Sequence, residues 1–241
     1  MSFEDIVRHR RSVRLYDPNK EIDTEKVRHC LELASLAPNS SNMQLWEFYH
    51  ITDPETIKAI SRACLNQTST ETAKEVVVFV TRQDLYKKRS KSMLAYSLDE
   101  IEKFSPEDRR ADRIKNRKQY YGFLMPFIYA RFLGLLGIVR KAITTGVGFF
   151  RPITRQVTEA EMNTVVHKSC ALAAQTFMLA MASKGYDTCP LEGFDSREMK
   201  KILNLPYGAG INMVIPCGIR VPEGVRNVQI RVPFDEVYYR I

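Results

Sequence analysis

The sequence predicts an α+β fold, and three features carry that expectation. A β-branched run, VVVFV at 76–80, is apolar throughout, as a strand buried on both faces requires. A long Ala-rich stretch after Thr158 is helical in pattern from end to end. Helix and strand patterns alternate around these two with no repeat, low-complexity tract or Gly/Ser linker. At 241 residues the chain is long enough for a real core. One domain over 1–241 is expected, carrying an inserted, lid-like helical segment at about 85–155.

Each element has its own signal. Asp23 can cap the free amides of TEKVRHCLELASLA, where Val27, Cys30, Leu31 and Ala34 share a face and Pro38 ends the run. Leu45 to Ile51 reads as a strand. Asp53 then caps a helix with Pro54 in its first turn and Ile57, Ile60 and Cys64 as its stripe. Residues 82–118 hold twelve Lys/Arg against seven Asp/Glu without a sustained apolar stripe, which predicts solvated helix and loop. Residues 123–139, FLMPFIYARFLGLLGIV, are interrupted by Pro126, Arg131, Gly134 and Gly137, and fall short of the ~20 apolar residues of a spanning helix. A helical lid or buried hairpin is expected there. Peripheral membrane contact through 123–141 is the alternative, since Arg140 and Lys141 follow directly. Thr158 and Glu161 form a capping box for a helix running to Gly185; apolar nearly all round, it belongs inside a fold or at a subunit interface. Asp195 with Glu198 reads as a second capping box, and INMVIPCGI at 211–219 as another buried strand.

Composition excludes several classes. With 44% apolar and 27% charged residues, the chain is neither disordered, collagen-like nor disulfide-stapled. A net charge of +8 favours anionic ligands. A nucleic-acid partner is not expected, because no motif accompanies the basic stretch at 82–118 and acidic residues are interspersed in it. Five cysteines without a C-x-x-C spacing read as reduced, buried thiols of a cytoplasmic protein. The opening MSFEDIVRHRR does not read as a signal peptide. No G-x-G-x-x-G, Walker loop, G-x-S-x-G or H-E-x-x-H is present, and the four histidines are scattered, so neither a metal site nor a nucleophile triad is expected.

Three segments carry possible chemistry. In Arg10-Arg11-Ser12-Val13-Arg14, positions 10, 12 and 14 point to one side of an extended chain, and two guanidinium groups flanking a hydroxyl suit a phosphate and a carbonyl-rich ring. A solvated basic turn is the plainer reading. Ala37 to Trp46, APNSSNMQLW, is a dense amide and hydroxyl loop between helix and strand. Cys189-Pro190-Leu191-Glu192-Gly193-Phe194 brackets a turn whose backbone amides are free to face a ligand.

In this order, with the long Ala-rich helix ending in Lys-Gly and a basic C-terminal tail, these segments resemble the FMN-dependent nitroreductase family over most of the chain. The resemblance implies a nitroreductase-like fold: a central, mostly antiparallel sheet flanked by helices, in an intertwined homodimer with FMN at the subunit interface. It assigns the FMN phosphate and ribityl chain to Arg10 and Ser12, the phosphate also to Arg231, and the pyrimidine edge to Arg14 and Asn66, with Arg11 counted among the cofactor-binding residues. Asn39, Ser40 and Asn42 would come from the partner subunit, and Pro38 and Gln44 of the same loop also count as cofactor-binding. Pro190, Leu191, Glu192 and Gly193 would pack along the ring, with the Glu192 backbone N–H near flavin N5. Leu45 stands where Pro is usual, Asn39 where Ser is common, and Gln229 replaces a second basic residue before the tail Arg.

The implied activity is hydride transfer from NADH or NADPH to a nitroaromatic, a quinone or a related electron-poor small molecule, in ping-pong turnover. Arg14 would act as the cation beside the reducing ring, and no protein acid or base is required. The same scaffold also serves dehalogenation, dehydrogenation and flavin fragmentation. A basic interaction protein for nucleic acid or anionic membrane is the non-enzymatic alternative.

Overall fold

In the computed structural model, which describes residues 2–241, the chain runs α1 (Phe3–His9), α2 (Thr24–Ala34), β1 (Trp46–Ile51), α3 (Pro54–Ala63), α4 (Thr68–Glu71) and β2 (Glu75–Thr81). It continues through α5 (Tyr86–Phe104), α6 (Glu107–Gln119), α7 (Met125–Tyr129), α8 (Leu135–Val147) and α9 (Glu159–Ser183). β3 (Asp187–Thr188), α10 (Ser196–Ile202) and β4 (Gly210–Gly218) follow, and an exposed arm completes the chain. The four strands form one antiparallel sheet in the order β1-β2-β4-β3.

Every residue of β2 is buried, because the sheet is covered on both faces. Val77 and Phe79 point toward α2 and α9, joining Cys30, Ala34, Ala174 and Phe177. Val76, Val78 and Val80 point the other way, into a cluster with Ile57, Ile60, Leu191 and Met199. Period-two alternation in a wholly apolar strand thus feeds two cores at once. Asp23, Asp53 and Thr158 cap their helices as their sequence positions predict. Asp195 also caps, but without a reciprocal bond from Glu198: its own N–H donates to the Ala63 carbonyl at 2.7 Å, and Glu198 turns to Lys201. α9 is long and apolar enough to cross a membrane, yet one of its faces packs on the sheet. It is not buried all round, since Leu172 and Gln175 lie on the surface.

Between β2 and α9 the chain builds a separate layer of helices. Pro126 does not end a helix here. A wide π-type turn over Tyr120–Leu124 lets α6 continue into α7 and accommodates the missing proline amide. Tyr121, Met125 and Tyr129 from this stretch pack with Met43, Leu45, Met162 and Val166. No buried hairpin follows. α8 instead buries Gly137, Arg140 and Thr144 and leaves its apolar residues outside. Arg140, 2% exposed, donates from Nη1 to the carbonyls of Phe127 (2.8 Å), Ile128 (2.7 Å) and Ala130 (3.0 Å), and from Nε to that of Val157 (2.7 Å). It therefore satisfies the orphan carbonyls at the end of α7, where a cation is also favoured by the helix dipole. Gly137 permits the approach, because a Cβ there would lie 2.8 Å from the Glu159 backbone nitrogen.

Arg140→Met should strip those carbonyls of their donor and destabilise the protein by about 1–3 kcal/mol. Thermal unfolding, with limited proteolysis at 120–157, checks this; an unchanged melting temperature and cleavage pattern would contradict it.

Candidate functional site

The segment after α1 is extended, and its side chains alternate. Val13 and Tyr16 are buried, whereas Arg10, Ser12 and Arg14 line a cleft. Hydrogen bonds on both edges impose this register. Ser12 bridges Thr188 of β3, Val13 N–H donates to the Thr188 carbonyl at 3.1 Å, and Arg14 N–H to that of Gly224 at 2.7 Å. Gly224 must be glycine, since a Cβ would sit 2.4 Å from the Leu15 carbonyl oxygen.

A buried ion pair closes the arrangement. Asp187, 3% exposed, accepts from the Arg220 backbone N–H at 2.7 Å and from its Nε at 2.8 Å. Nη2 of the same guanidinium reaches Asp187 and the His9 carbonyl, the latter at 2.9 Å. One side chain thereby ties β3, the end of α1 and the start of the C-terminal arm together, immediately before Arg10.

Across the cleft from Arg10, Arg11, Ser12 and Arg14 lies the arm segment 225–231, ending in Arg231; the space between is about 470 Å³. Among the described residues these arginines find only neutral acceptors. Arg11 donates to the Asn227 carbonyl, Arg14 to Gln67 Oε1 at 3.3 Å, and Arg231 to the Ile230 carbonyl at 2.6 Å. Burial, and then the like charges of Arg231 and Arg11, push the Arg10 guanidinium below its ordinary value. Cys189 lies buried beside Arg10 and Arg14. Burial raises its thiol, with the two arginines opposing, so it does not supply a counter-charge. Guanidinium groups and a hydroxyl with no carboxylate form a cationic, donor-rich set, whose physical complement is a phosphate monoester.

The 190–193 turn does not line the cleft but is joined to Arg14 through Gln67. Leu191 exchanges both backbone hydrogen bonds with Val214, at 2.8 and 3.0 Å. That leaves the exposed Glu192 with an N–H that finds no acceptor among the described residues. The Gly193 carbonyl accepts from Gln67 Nε2 at 2.9 Å. Gln67, not Asn66, is thus the amide that links Arg14 to this turn. Asn66 lines a separate cavity with Ile57, Arg62 and Lys74. The reason is local: Leu65 and Asn66 both take left-handed backbone (φ 61° and 52°), a conformation Asn tolerates, and the reversal aims the next residue at the cleft.

The amide loop lies elsewhere. Ser41, Asn42 and Gln44 all have positive φ (55°, 51° and 46°). This strained turn is held by Asn39 Oδ1 accepting from Gln44 N–H at 2.8 Å, and by the Tyr121 hydroxyl donating to the Ser41 carbonyl at 3.0 Å. Asn42 and Gln44 line a cavity of about 440 Å³ with Tyr96, Glu100 and Arg117. Neither Pro38, Asn39, Ser40, Asn42 nor Gln44 lines the arginine cleft.

The fold and the cleft define an α+β protein with an arginine-lined cleft at the edge of its sheet, chemically suited to a phosphate-bearing ligand. The comparisons make the class specific: a match to the nitroreductase family covers residues 7–219, and the chain belongs to that family. It is 25% identical over 219 residues to protein DrgA of Synechocystis, spanning 91% of this chain and 84% of that protein. It is 22% identical over 222 residues to the oxygen-insensitive NADPH nitroreductase of Helicobacter pylori, covering 90% and 87%. A nitroreductase family protein from Streptococcus pneumoniae superposes with a TM-score of 0.69 over 100% of both chains at 18% identity. A chain from Exiguobacterium sibiricum solved in complex with FMN gives 0.69 at 23% identity over 100% of this chain and 98% of that one. Family members are FMN-dependent oxidoreductases with NAD(P)H donors, typically dimeric, and this chain is accordingly a flavin-dependent oxidoreductase.

Asp187→Ala would leave Arg220 without its carboxylate and release both chain segments it ties, costing about 3–5 kcal/mol. Calorimetric unfolding measures this; stability equal to the parent would show that the pair does not hold the cleft.

Proposed function

We propose that each protomer holds FMN in the arginine cleft at a dimer interface. There it passes reducing equivalents from NADH or NADPH to a nitroaromatic, a quinone or a related electron-poor small molecule. The observation that carries this reading is the convergence of Arg10, Arg11 and Arg231 beside Ser12 with no carboxylate to balance them. When bound, FMN supplies the two-electron hydride chemistry.

The protein's own groups have distinct tasks. Arg10, Ser12 and Arg231 hold the phosphate end, with Arg11 anchoring the arm through the Asn227 carbonyl. Arg14, steadied by Gln67, places a cation at the pyrimidine edge and offsets negative charge gained there on reduction. The Glu192 N–H is a ready donor to the ring, and Pro190, Gly193 and the backbone of Leu191 lie beside it, the Leu191 side chain facing the core. Pro38, Asn39, Ser40, Asn42 and Gln44, absent from the cleft of their own chain, complete the site of the partner. Exposed Val228, Ile230, Phe234 and Tyr239 on the C-terminal arm support such an intertwined dimer, since one chain leaves them uncovered. A single stacking position makes turnover alternate, the oxidised nicotinamide leaving before the acceptor enters. Five buried free thiols support a reducing, cytoplasmic compartment.

Arg10→Ala should weaken FMN binding roughly ten- to hundred-fold, the loss of one charge-assisted contact worth about 1.5–3 kcal/mol. Fluorescence titration of the apoprotein measures it, and an unaltered affinity would remove Arg10 from the site. Arg14→Met should keep the protein yellow yet slow its bleaching by NAD(P)H about tenfold, equivalent to ~1.4 kcal/mol in the barrier. Stopped-flow reduction at the parental rate would refute that role.

A further inference from the structure

We propose that α8 and the loops at its two ends form a docking surface for anionic lipid bilayers. The helix is inside out. At roughly 100° per residue, its buried positions Gly137, Arg140 and Thr144 centre on the side opposite Ile138, Val139 and Ile143. The core therefore receives a glycine, a cation and a hydroxyl, while solvent receives aliphatic side chains that are 48–66% exposed. Phe132 and Leu133 before the helix are 59% and 90% exposed, and Phe149 and Phe150 after it are 81% and 91% exposed. These side chains stand out from the surface rather than line a groove. A helix of 13 residues is about 20 Å long, too short to span a bilayer but suited to lie in its interface.

Charge identifies the occupant. From Arg113 to Thr158 the sequence contains no Asp or Glu and nine Lys/Arg. Of these, Arg131, Lys141, Arg151 and Arg155 are exposed around the apolar strip. A bilayer of anionic lipid offers both an apolar interior for the strip and a negative surface for its border. A second copy of this chain would instead oppose two predominantly basic faces, since Glu161 faces Lys141 (3.8 Å) and Glu159 is engaged by the loop amides, and such faces repel. The strip cannot relieve its exposure by rolling inward, because Arg140 fixes the opposite side of α8 to four backbone carbonyls. Glu159 accepts from the N–H groups of Phe132 and Gly134, both at 3.0 Å, and so braces the leading loop. The patch lies outside the arginine cleft, so the inference does not depend on which acceptor the enzyme reduces.

The test is flotation of the FMN-loaded, full-length protein with phosphatidylglycerol/phosphatidylcholine vesicles and with phosphatidylcholine vesicles alone. The parent should float with the first, at least about tenfold less with the second, and less in high salt. Leu133→Asp/Phe149→Asp/Phe150→Asp should reduce flotation at least about tenfold while leaving flavin content, melting temperature and mass by light scattering unchanged. Arg131→Glu/Arg151→Glu, which leaves the apolar strip intact, should reduce only the part that depends on phosphatidylglycerol. A parent that stays in solution with both vesicles, or an aspartate variant that still floats, would overturn the proposal. A variant that floats less but also loses its oligomeric mass would overturn it too, assigning the strip to a second copy.

Discussion

Guanidinium groups repel, so a cluster of them persists only where something else holds the backbone. Here that task falls to Asp187 and Arg220. The pair is nearly buried on the acidic side, and its guanidinium also binds the His9 carbonyl, so it fixes the strand edge, the exit of α1 and the root of the C-terminal arm at one point. Arg10 to Arg14 and Arg231 then face one another with neutral acceptors only. Fold energy sustains a positive field that the proposed phosphate would relieve, and ligand binding and folding would be linked through it. Preorganised donors of this kind need no rearrangement when the anion arrives.

The same logic bears on the proposed sharing of the site between two protomers. The strained amide loop at 39–44 is braced by Tyr120 and Tyr121 from the helical layer, away from the arginine cleft. Strain there is maintained by neighbours rather than by ligand, as expected for a surface prepared in advance for a partner. The arm that carries Arg231 has little packing of its own beyond the cleft, with Val232, Phe234 and Tyr238 exposed. Membership of a typically dimeric family gives both features a common purpose.

How far the sequence disclosed this differs from element to element. β2 was legible because an all-apolar β-branched run has few alternatives, α2 and α3 because a side-chain cap precedes a periodic stripe, and α9 because a capping box opens a long Ala-rich run. The alternation of Arg10, Ser12 and Arg14 was legible too, since period two is a property of extended chain. Asn66 lines a different cavity from the arginine cleft: it occupies a left-handed turn, and that turn brings Gln67 to Arg14 and Gly193. A turn-tolerant Asn directly before an amide was the available signal. Asp187 and Arg220 lie 33 residues apart, and only pairing of β3 with β4 brings them together. In α8 the apolar content promised burial, whereas the single arginine and the glycine were the true inward face. Composition without the partner carbonyls of Arg140 does not reveal that inversion.

The central claim is that the arginine cleft recognises a phosphate, not merely a flat ring. Comparing the affinities of the apoprotein for FMN and for riboflavin tests it most directly, because the two ligands differ only in that group. Two or more charge-assisted contacts predict that FMN binds at least ~100-fold tighter, with the gap narrowing as salt is raised. Equal affinities, insensitive to salt, would contradict the account.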